Sequence, residues 1–338
     1  MMLIVLLLAV FACSWLMTLV LRRYALAKSL MDIPNERSSH TLPTPRGGGV
    51  SIVLGFVLSM PVVASLDGAG YQALYHILGA GLLVAIIGFA DDHGHIAARW
   101  RLLGHFMAAA WVLFGLHGLG QIQVFGAPVD LGWLGNVLAA FYLVWMLNLY
   151  NFMDGIDGIA SAQAIFVSVA GSAIAWLTGH FSLVAMPLIL AAAVAGFFVW
   201  NFPPARIFMG DAGSGFLGLI LGVLSLEAGR QAPELLWSWL ILLGVFIVDA
   251  TVTLFRRLSR REKIYQAHCS HAYQYAARHY LSHKTVTLAV SAINLLWLLP
   301  LALIVGVGLL DGIVGCVLAY APLVALAIRF NAGGSEPV

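Results

Sequence analysis

From residue 2 to residue 329 the chain is a succession of apolar runs broken by short polar segments. The runs fall at 2–21, 48–66, 72–90, 102–120, 133–150, 159–178, 183–200, 213–228, 234–255, 285–308 and 310–329. A helix needs about 20 apolar residues to cross the hydrocarbon core of a bilayer. Inside lipid the backbone must satisfy its own N–H and C=O groups, so repeated runs of this length read as a helix bundle. The expected fold is therefore an all-α polytopic membrane protein with about 11 transmembrane helices. It forms one integral-membrane domain over 1–330, with a disordered tail over 331–338.

Composition supports this. The chain is 61% hydrophobic and only 9% charged, where a soluble domain carries about 25% charged residues. An ordinary soluble enzyme and a nucleic-acid-binding module are both excluded. Cys13, Cys269 and Cys316 are scattered and give no disulfide framework. No basic residue precedes the first run, and Arg22 and Arg23 follow it. It reads as an uncleaved span and not as a signal peptide.

The basic residues orient the bundle. If the first run crosses from outside to inside, segments 22–47, 91–101, 201–212, 256–284 and the C-terminus all lie on the cytoplasmic side. They hold every Lys and Arg of the 17 in the chain except Arg230. Such an asymmetry is the positive-inside signal, and it puts the N-terminus in the periplasm and the C-terminus in the cytoplasm. The outer connections are short; Gln121–Asp130 alternates briefly and suits a small hairpin.

The chemistry lies in the cytoplasmic segments. Asn148–Gly158 reads N-L-Y-N-F-M-D-G-I-D-G between two apolar runs. Acids cost roughly 2.5–3.5 kcal/mol each at the bilayer centre, so this patch must sit at an edge or line a watery cavity. Asn151, Asp154 and Asp157 are spaced three apart, which places them on one helical face. Asp157 also suits a helix N-cap.

Asp91 and Asp92 end the third run. At a helix C-terminus each carboxylate is disfavoured by about 0.3–1 kcal/mol, and the pair repel each other. A divalent cation or a shared proton relieves both problems. Arg99 and Arg101 follow closely. Asp211 precedes Gly213-Ser214-Gly215 and reads either as an N-cap or as a hard oxygen ligand for Mg²⁺.

Arg46 and the glycines 47–49 lead into the second run, where N–H groups entering a helix suit an anion. His268-Cys269-Ser270-His271 lies in the longest basic loop. It lacks the closed four-ligand set of a structural zinc site, so phosphate binding suits it better. Asp249, inside the ninth run, either pairs internally or supports the site. His76, His105, His117, His180, His279 and His283 show no partner pattern and read as structural or interfacial.

Acid-bearing segments far apart in sequence thus share one face. Carboxylates, a metal, cations and access to lipid suit a phosphate or diphosphate chemistry. A secondary transporter is the competing reading; it calls for acids deep in the spans and an inverted repeat.

Five ordered motifs carry a more specific likeness: D-I-P-N-E-R-S-S-H-T-L-P-T-P-R-G-G-G, A-D-D, N-F-M-D-G-I-D-G, F-M-G-D-A-G-S and H-C-S-H. Over about Asp32 to His271 the chain resembles the polyprenyl-phosphate N-acetylhexosamine-1-phosphate transferases of glycosyltransferase family 4. That superfamily includes the phospho-MurNAc-pentapeptide transferase and the undecaprenyl-phosphate GlcNAc-1-phosphate transferases. H-C-S-H-A-Y-Q departs from the histidine triplet of the former and looks more like the branch that starts O-antigen or other surface-glycan synthesis.

The resemblance implies transfer of sugar-1-phosphate from a UDP-N-acetylhexosamine to undecaprenyl phosphate, with release of UMP. It implies Mg²⁺ or Mn²⁺, ligated by Asp211 with Asn151 nearby. Asp91 or Asp92 would deprotonate or orient the acceptor phosphate. Asp154 and Asp157 would bind the nucleotide or tune the metal, and His268, His271, Arg46 and Arg101 would hold the diphosphate. Direct attack by the lipid phosphate and a two-step route through a phospho-aspartate both fit. The partners implied are the two substrates and the lipid bilayer, with no nucleic acid; a homodimer is compatible with the pattern.

Overall fold

The computed structural model describes residues 1–34, 39–67, 72–94, 96–262 and 268–334. The chain opens with α1 (Met2–Ala27), followed by a two-stranded antiparallel pair, β1 (Met31–Asp32) and β2 (Thr44–Pro45). Then come α2 (Val50–Asp67), α3 (Gln72–His93) and α4 (Ala98–Gly115). The expected hairpin forms as β3 (Ile122–Val124) and β4 (Ala127–Val129). Phe125 and Gly126 between them both have positive φ, 48° and 77°, as a two-residue hairpin turn requires.

The rest is helical: α5 (Gly132–Phe152), α6 (Ile159–Leu177), α7 (Ala185–Asn201), α8 (Asp211–Gln231), α9 (Pro233–Leu242), α10 (Gly244–Ser259), α11 (Ala272–Tyr280), α12 (His283–Ile293), α13 (Leu299–Gly306) and α14 (Gly312–Arg329). A π-helical stretch, Asn294–Leu298, joins α12 to α13, and together they make one long span. The chain is a multi-pass membrane protein.

Among the described residues, 8 helices are long and apolar enough to cross a membrane, or 9 if α9 and α10, bent by 69°, count as one broken span. The sequence led us to expect about 11, at about 20 residues per span. Two expected spans account for the difference. One is α2, of which Val50–Ala64 is the apolar stretch counted among the described residues; the other is α4, which carries Arg99, Arg101 and His105 in its first half.

α8 is the hub. Of its apolar window 94% is buried, against 17% for α1. Its small residues make this burial possible, because packing in lipid depends on close backbone approach. A Cβ on Gly218 would lie 2.5 Å from the Met146 carbonyl oxygen of α5, and one on Gly213 would lie 2.6 Å from the Gly49 Cα at the start of α2.

The basic segments gather at one end of the bundle. Arg22 donates to the Arg206 carbonyl at 3.2 Å, and the ring of His283 reaches the Ser39 carbonyl at 2.9 Å. Arg230 lies elsewhere, bonded to the carbonyls of Leu116 and Gly118. The expected disorder of the tail from residue 331 does not hold for its first four residues. Ala332 is fully buried, Gly333 N–H donates to the Ser270 carbonyl at 2.6 Å, and Arg256 donates to the Ala332 carbonyl at 2.7 Å. After α14 the Ala332 carbonyl thus finds a donor on α10, and the Gly333 N–H finds an acceptor in the 268–271 segment. Residues 335–338 lie outside the described residues.

Candidate active site

The site begins where α3 ends against the start of α8. At Gly88 the two backbones touch: a Cβ there would lie 2.5 Å from the Asp211 carbonyl carbon and oxygen. One helical turn later Asp92 reaches the α8 N-terminus. Its carboxylate accepts from Asp211 N–H at 3.3 Å and Ala212 N–H at 3.4 Å. Gly210, the residue preceding α8, has φ 76°, and a Cβ on it would come within 2.6 Å of Asp92 Oδ2. Asp92 therefore supplies from another helix the cap that a side chain at 210 would normally give. The unfavourable field at the end of α3 is offset by the positive end of α8. We expect Gly88→Ala to cost about 1–3 kcal/mol, the range for overpacking, because backbone and not a side-chain tip must yield. Thermal unfolding of the purified protein measures this.

The segment 45–49 is laced to 208–209. Phe208 N–H donates to the Pro45 carbonyl at 2.8 Å, Gly48 N–H to the Phe208 carbonyl at 2.9 Å, and Gly49 N–H to the Met209 carbonyl at 2.8 Å. This corrects the reading of the glycine N–H groups as an anion cradle, since the donors of Gly48 and Gly49 are already used. The glycines serve close approach instead: a Cβ on Gly49 would lie 2.5 Å from the Gly213 Cα. Arg46, anchored on the Asp92 carbonyl, is left as the cation of this segment that lines the site.

Asp91 and Asp92 have separate surroundings. Asp91 Oδ1 accepts from Ile96 N–H at 2.7 Å and its Oδ2 pairs with Arg101. The same Arg101 nitrogen reaches Asp211 Oδ2 at 3.3 Å. The Asp91 side chain is 9% exposed and that of Asp211 34%, so Asp91 is sequestered and Asp211 is open to the site. Asn151, at the end of α5, donates to Ser214 Oγ at 3.0 Å.

The loop between α5 and α6 brings Asp154 and Asp157. Asp157 is not the α6 cap; Gly158 takes that position, with no side-chain cap bond. Its carboxylate instead accepts from Ala205 N–H at 3.0 Å and stands 3.2 Å from His283 Nδ1. Among the described residues no donor reaches the Asp154 carboxylate. Burial, then the fields of Asp211, Asp92 and Asp157, hold its carboxyl well above the usual carboxylate range.

α11 closes this side. Tyr273 Oη donates to the Phe152 carbonyl at 2.9 Å, and Gln274 lines the site. The helix is held by Asp249 of α10, whose carboxylate accepts from Ala272 N–H at 2.9 Å and Tyr273 N–H at 3.0 Å and stands 3.3 Å from His271 Nδ1. Asp249 is thus paired internally and positions a wall of the site.

These elements enclose a cavity of about 250 Å³. Of the candidate residues, Arg46, Asp92, Asn151, Asp154, Asp157 and Asp211 line it; Asp91, Arg101, His268 and His271 do not. His271 is buried as the α11 N-cap, and His268 stacks on it with ring centroids 5.0 Å apart. Asp32, Ser39, His40, Asn201, Phe208 and His283 are lining residues that were not singled out from sequence. Asp32 and His40 sit inside a motif already quoted. His283 had no such signal, because its carboxylate partner lies 126 residues earlier.

The cavity therefore presents five carboxylates, of Asp32, Asp92, Asp154, Asp157 and Asp211, and one guanidinium, of Arg46. Carboxylates crowded in a buried space cannot all ionise without a cation, and an all-oxygen set suits a hard one. Among the described residues no three His, Cys, Asp or Glu side chains are gathered closely enough to enclose a metal unaided. Mg²⁺ does not need that, because it is usually held by one or two carboxylates and completed by water and phosphate oxygens.

Comparison with known proteins agrees with this arrangement. Residues 74–229 match the family described as Glycosyl transferase family 4. The chain is 29% identical over 293 residues to the "Probable undecaprenyl-phosphate N-acetylglucosaminyl 1-phosphate transferase" of Bacillus subtilis, covering 83% of this chain and 79% of that protein. It is 33% identical over 232 residues to the phospho-N-acetylmuramoyl-pentapeptide-transferase of Moorella thermoacetica, covering 64% and 72%. It is 31% identical over 280 residues to the protein of that name in Geobacillus kaustophilus, covering 74% and 84%. The matched region runs from α3 to α8 and contains Asp91, Asp92, Asn151, Asp154, Asp157 and Asp211, so the chain belongs to glycosyl transferase family 4.

Proposed function

We propose that this protein transfers N-acetylhexosamine-1-phosphate from a UDP-sugar to undecaprenyl phosphate in the bacterial cytoplasmic membrane, with its acidic cavity on the cytoplasmic side. The product starts a surface glycan such as O-antigen. The observation that carries this reading is one cavity at the ends of membrane helices where Asp92, Asp154 and Asp211 meet Arg46. The names of the relatives, which act on undecaprenyl-phosphate or transfer phosphosugars, support it.

In the reaction an oxygen of the lipid phosphate attacks the β-phosphorus of the donor. The bond to the bridging oxygen breaks, and its electron pair leaves with UMP. Both reactants are anions, so the site must neutralise charge and align the groups. Asp211 and the Asn151 amide oxygen would hold Mg²⁺ or Mn²⁺, which supplies charge neutralisation on the diphosphate. Arg46 adds a fixed positive charge. Asp92, held in place by the α8 N–H groups, orients the acceptor phosphate and takes its proton when it carries one. Asp154 and Asp157 bind the nucleotide side. Asp91 acts at one remove, by fixing Arg101 against Asp211.

The test is UMP release by the purified protein in lipid nanodiscs with undecaprenyl phosphate and a panel of UDP-N-acetylhexosamines. Release is expected with at least one donor. Chelation with EDTA should abolish it, and excess Mg²⁺ should restore it. No UMP from any donor overturns the reading, and full activity in EDTA removes the metal from it.

A further inference from the structure

We propose that His283, at the first turn of α12, is a positioning residue that clamps Asp157 and thereby sets how firmly the site binds its nucleotide-sugar donor. The inference rests on the transferase reading for what Asp157 does, but the clamp itself is read from geometry.

The first turn of α12 is built to present this imidazole. Leu281 adopts a left-handed conformation with φ 50°. Ser282 then caps the helix, accepting from Thr285 N–H at 3.1 Å. That turn places His283 between the acidic cavity and a second cavity of about 550 Å³ beside it, and the ring lines both. Nε2 lies 2.9 Å from the Ser39 carbonyl, to which it can only donate. On the other side, Nδ1 lies 3.2 Å from Asp157 Oδ1 and 3.4 Å from Asp157 N. One turn along α12, Thr287 Oγ1 donates to the Asp157 carbonyl at 2.9 Å.

Asp157 is thus held through its carbonyl and by Nδ1, which donates to its carboxylate when it carries a proton and accepts from its N–H when it does not. Its second carboxylate oxygen carries the restraint onward to Ala205 N–H at 3.0 Å. From α12 the ring bridges the loop at 39–40 and the loop at 153–158, and Asp157 extends the link to the connection at 203–206. An imidazole can do this because its two nitrogens point to opposite sides. A glutamine amide offers its donor and acceptor from one end and cannot span the same gap.

A positioning role predicts effects on donor binding, not on the chemical step. In nanodisc-reconstituted protein, His283→Ala is expected to raise the donor KM roughly tenfold, the size of one lost hydrogen bond to a charged group. The change in kcat should stay within about twofold, since interactions common to ground and transition states affect KM alone. His283→Gln should fail to restore KM. Thr287→Val should raise KM less, because it removes one neutral bond. Exposed His279, changed to alanine, should leave KM alone.

Hydrogen exchange followed by mass spectrometry reads the clamp without turnover. His283→Ala should increase amide exchange in peptides covering 154–158 and 204–206, with α8 unchanged. Wild-type exchange in these peptides together with an unchanged KM overturns the proposal. So does a fall in kcat at constant KM, which would place His283 in the chemistry. If the wild-type protein releases no UMP from any donor, the transferase reading fails, and the exchange result alone decides the clamp: protection lost upholds it, protection kept overturns it.

Discussion

Asp211→Asn is expected to lower turnover by roughly 10²–10³-fold, the usual cost of deleting one group that stabilises developing charge, while leaving the protein folded. The two halves of this expectation have separate physical grounds. Asp211 is the first residue of α8 and projects into the cavity with 34% of its side chain exposed. Its contact with Arg101, at 3.3 Å, is open enough to water that the pair contributes little, about 0–1 kcal/mol. Asparagine keeps the shape and loses the charge, so thermal unfolding should shift little. The Mg²⁺ concentration for half-maximal activity should rise, because a carboxylate has been removed from the set that would hold the ion. Asp91→Asn is the matched comparison. Asp91 is nearly sequestered and holds Arg101, so its loss should cost less turnover than loss of Asp211. UMP release close to wild type in Asp211→Asn would remove that residue from the chemistry.

The architecture was legible in the sequence because lipid leaves the backbone few choices. Every apolar run became helical, two of them as more than one helix, and the basic segments converged on one end of the bundle. What stayed hidden depends on contacts between distant segments. The run at 234–255 is uninterrupted in composition, yet it bends by 69° between α9 and α10. Hydropathy has no signal for such a bend. α4 was read as a span from its apolar second half, although its first half carries Arg99, Arg101 and His105.

At the site, motif residues were legible and partnerships were not. Asp154 lines the cavity, and among the described residues no donor reaches its carboxylate. Asp157 and Asp211 each had a capping explanation from sequence, and both turn out not to cap with their side chains. The cap of α8 comes from Asp92, 119 residues before Asp211. The histidines show the same separation of motif from place. His268 and His271 lie in a recognisable motif but stack behind the wall of the cavity, while His283, with no motif to mark it, faces the cavity.

Asp92→Ala is expected to damage both the reaction and the fold, unlike the change at 211. Its carboxylate accepts from the first two N–H groups of α8, and Gly210 has no side chain to take its place. Loss of a helix cap costs about 0.5–2 kcal/mol. That cost falls on the helix around which the bundle packs, so thermal unfolding should move down in temperature. Asp92→Asn should not rescue stability fully. Its oxygen can accept from one N–H, but its amide group would face the other donor. Turnover should fall roughly 10²–10³-fold in both variants, as for loss of a preorganised charged group at the reacting centre. The backbone carbonyl that anchors Arg46 is unchanged by either substitution, so the guanidinium should keep its place. Two readouts therefore separate two claims. Unaltered thermal stability in Asp92→Ala would show that α8 does not depend on this cap. Unaltered UMP release in a folded Asp92→Asn would show that the acceptor phosphate does not depend on this carboxylate.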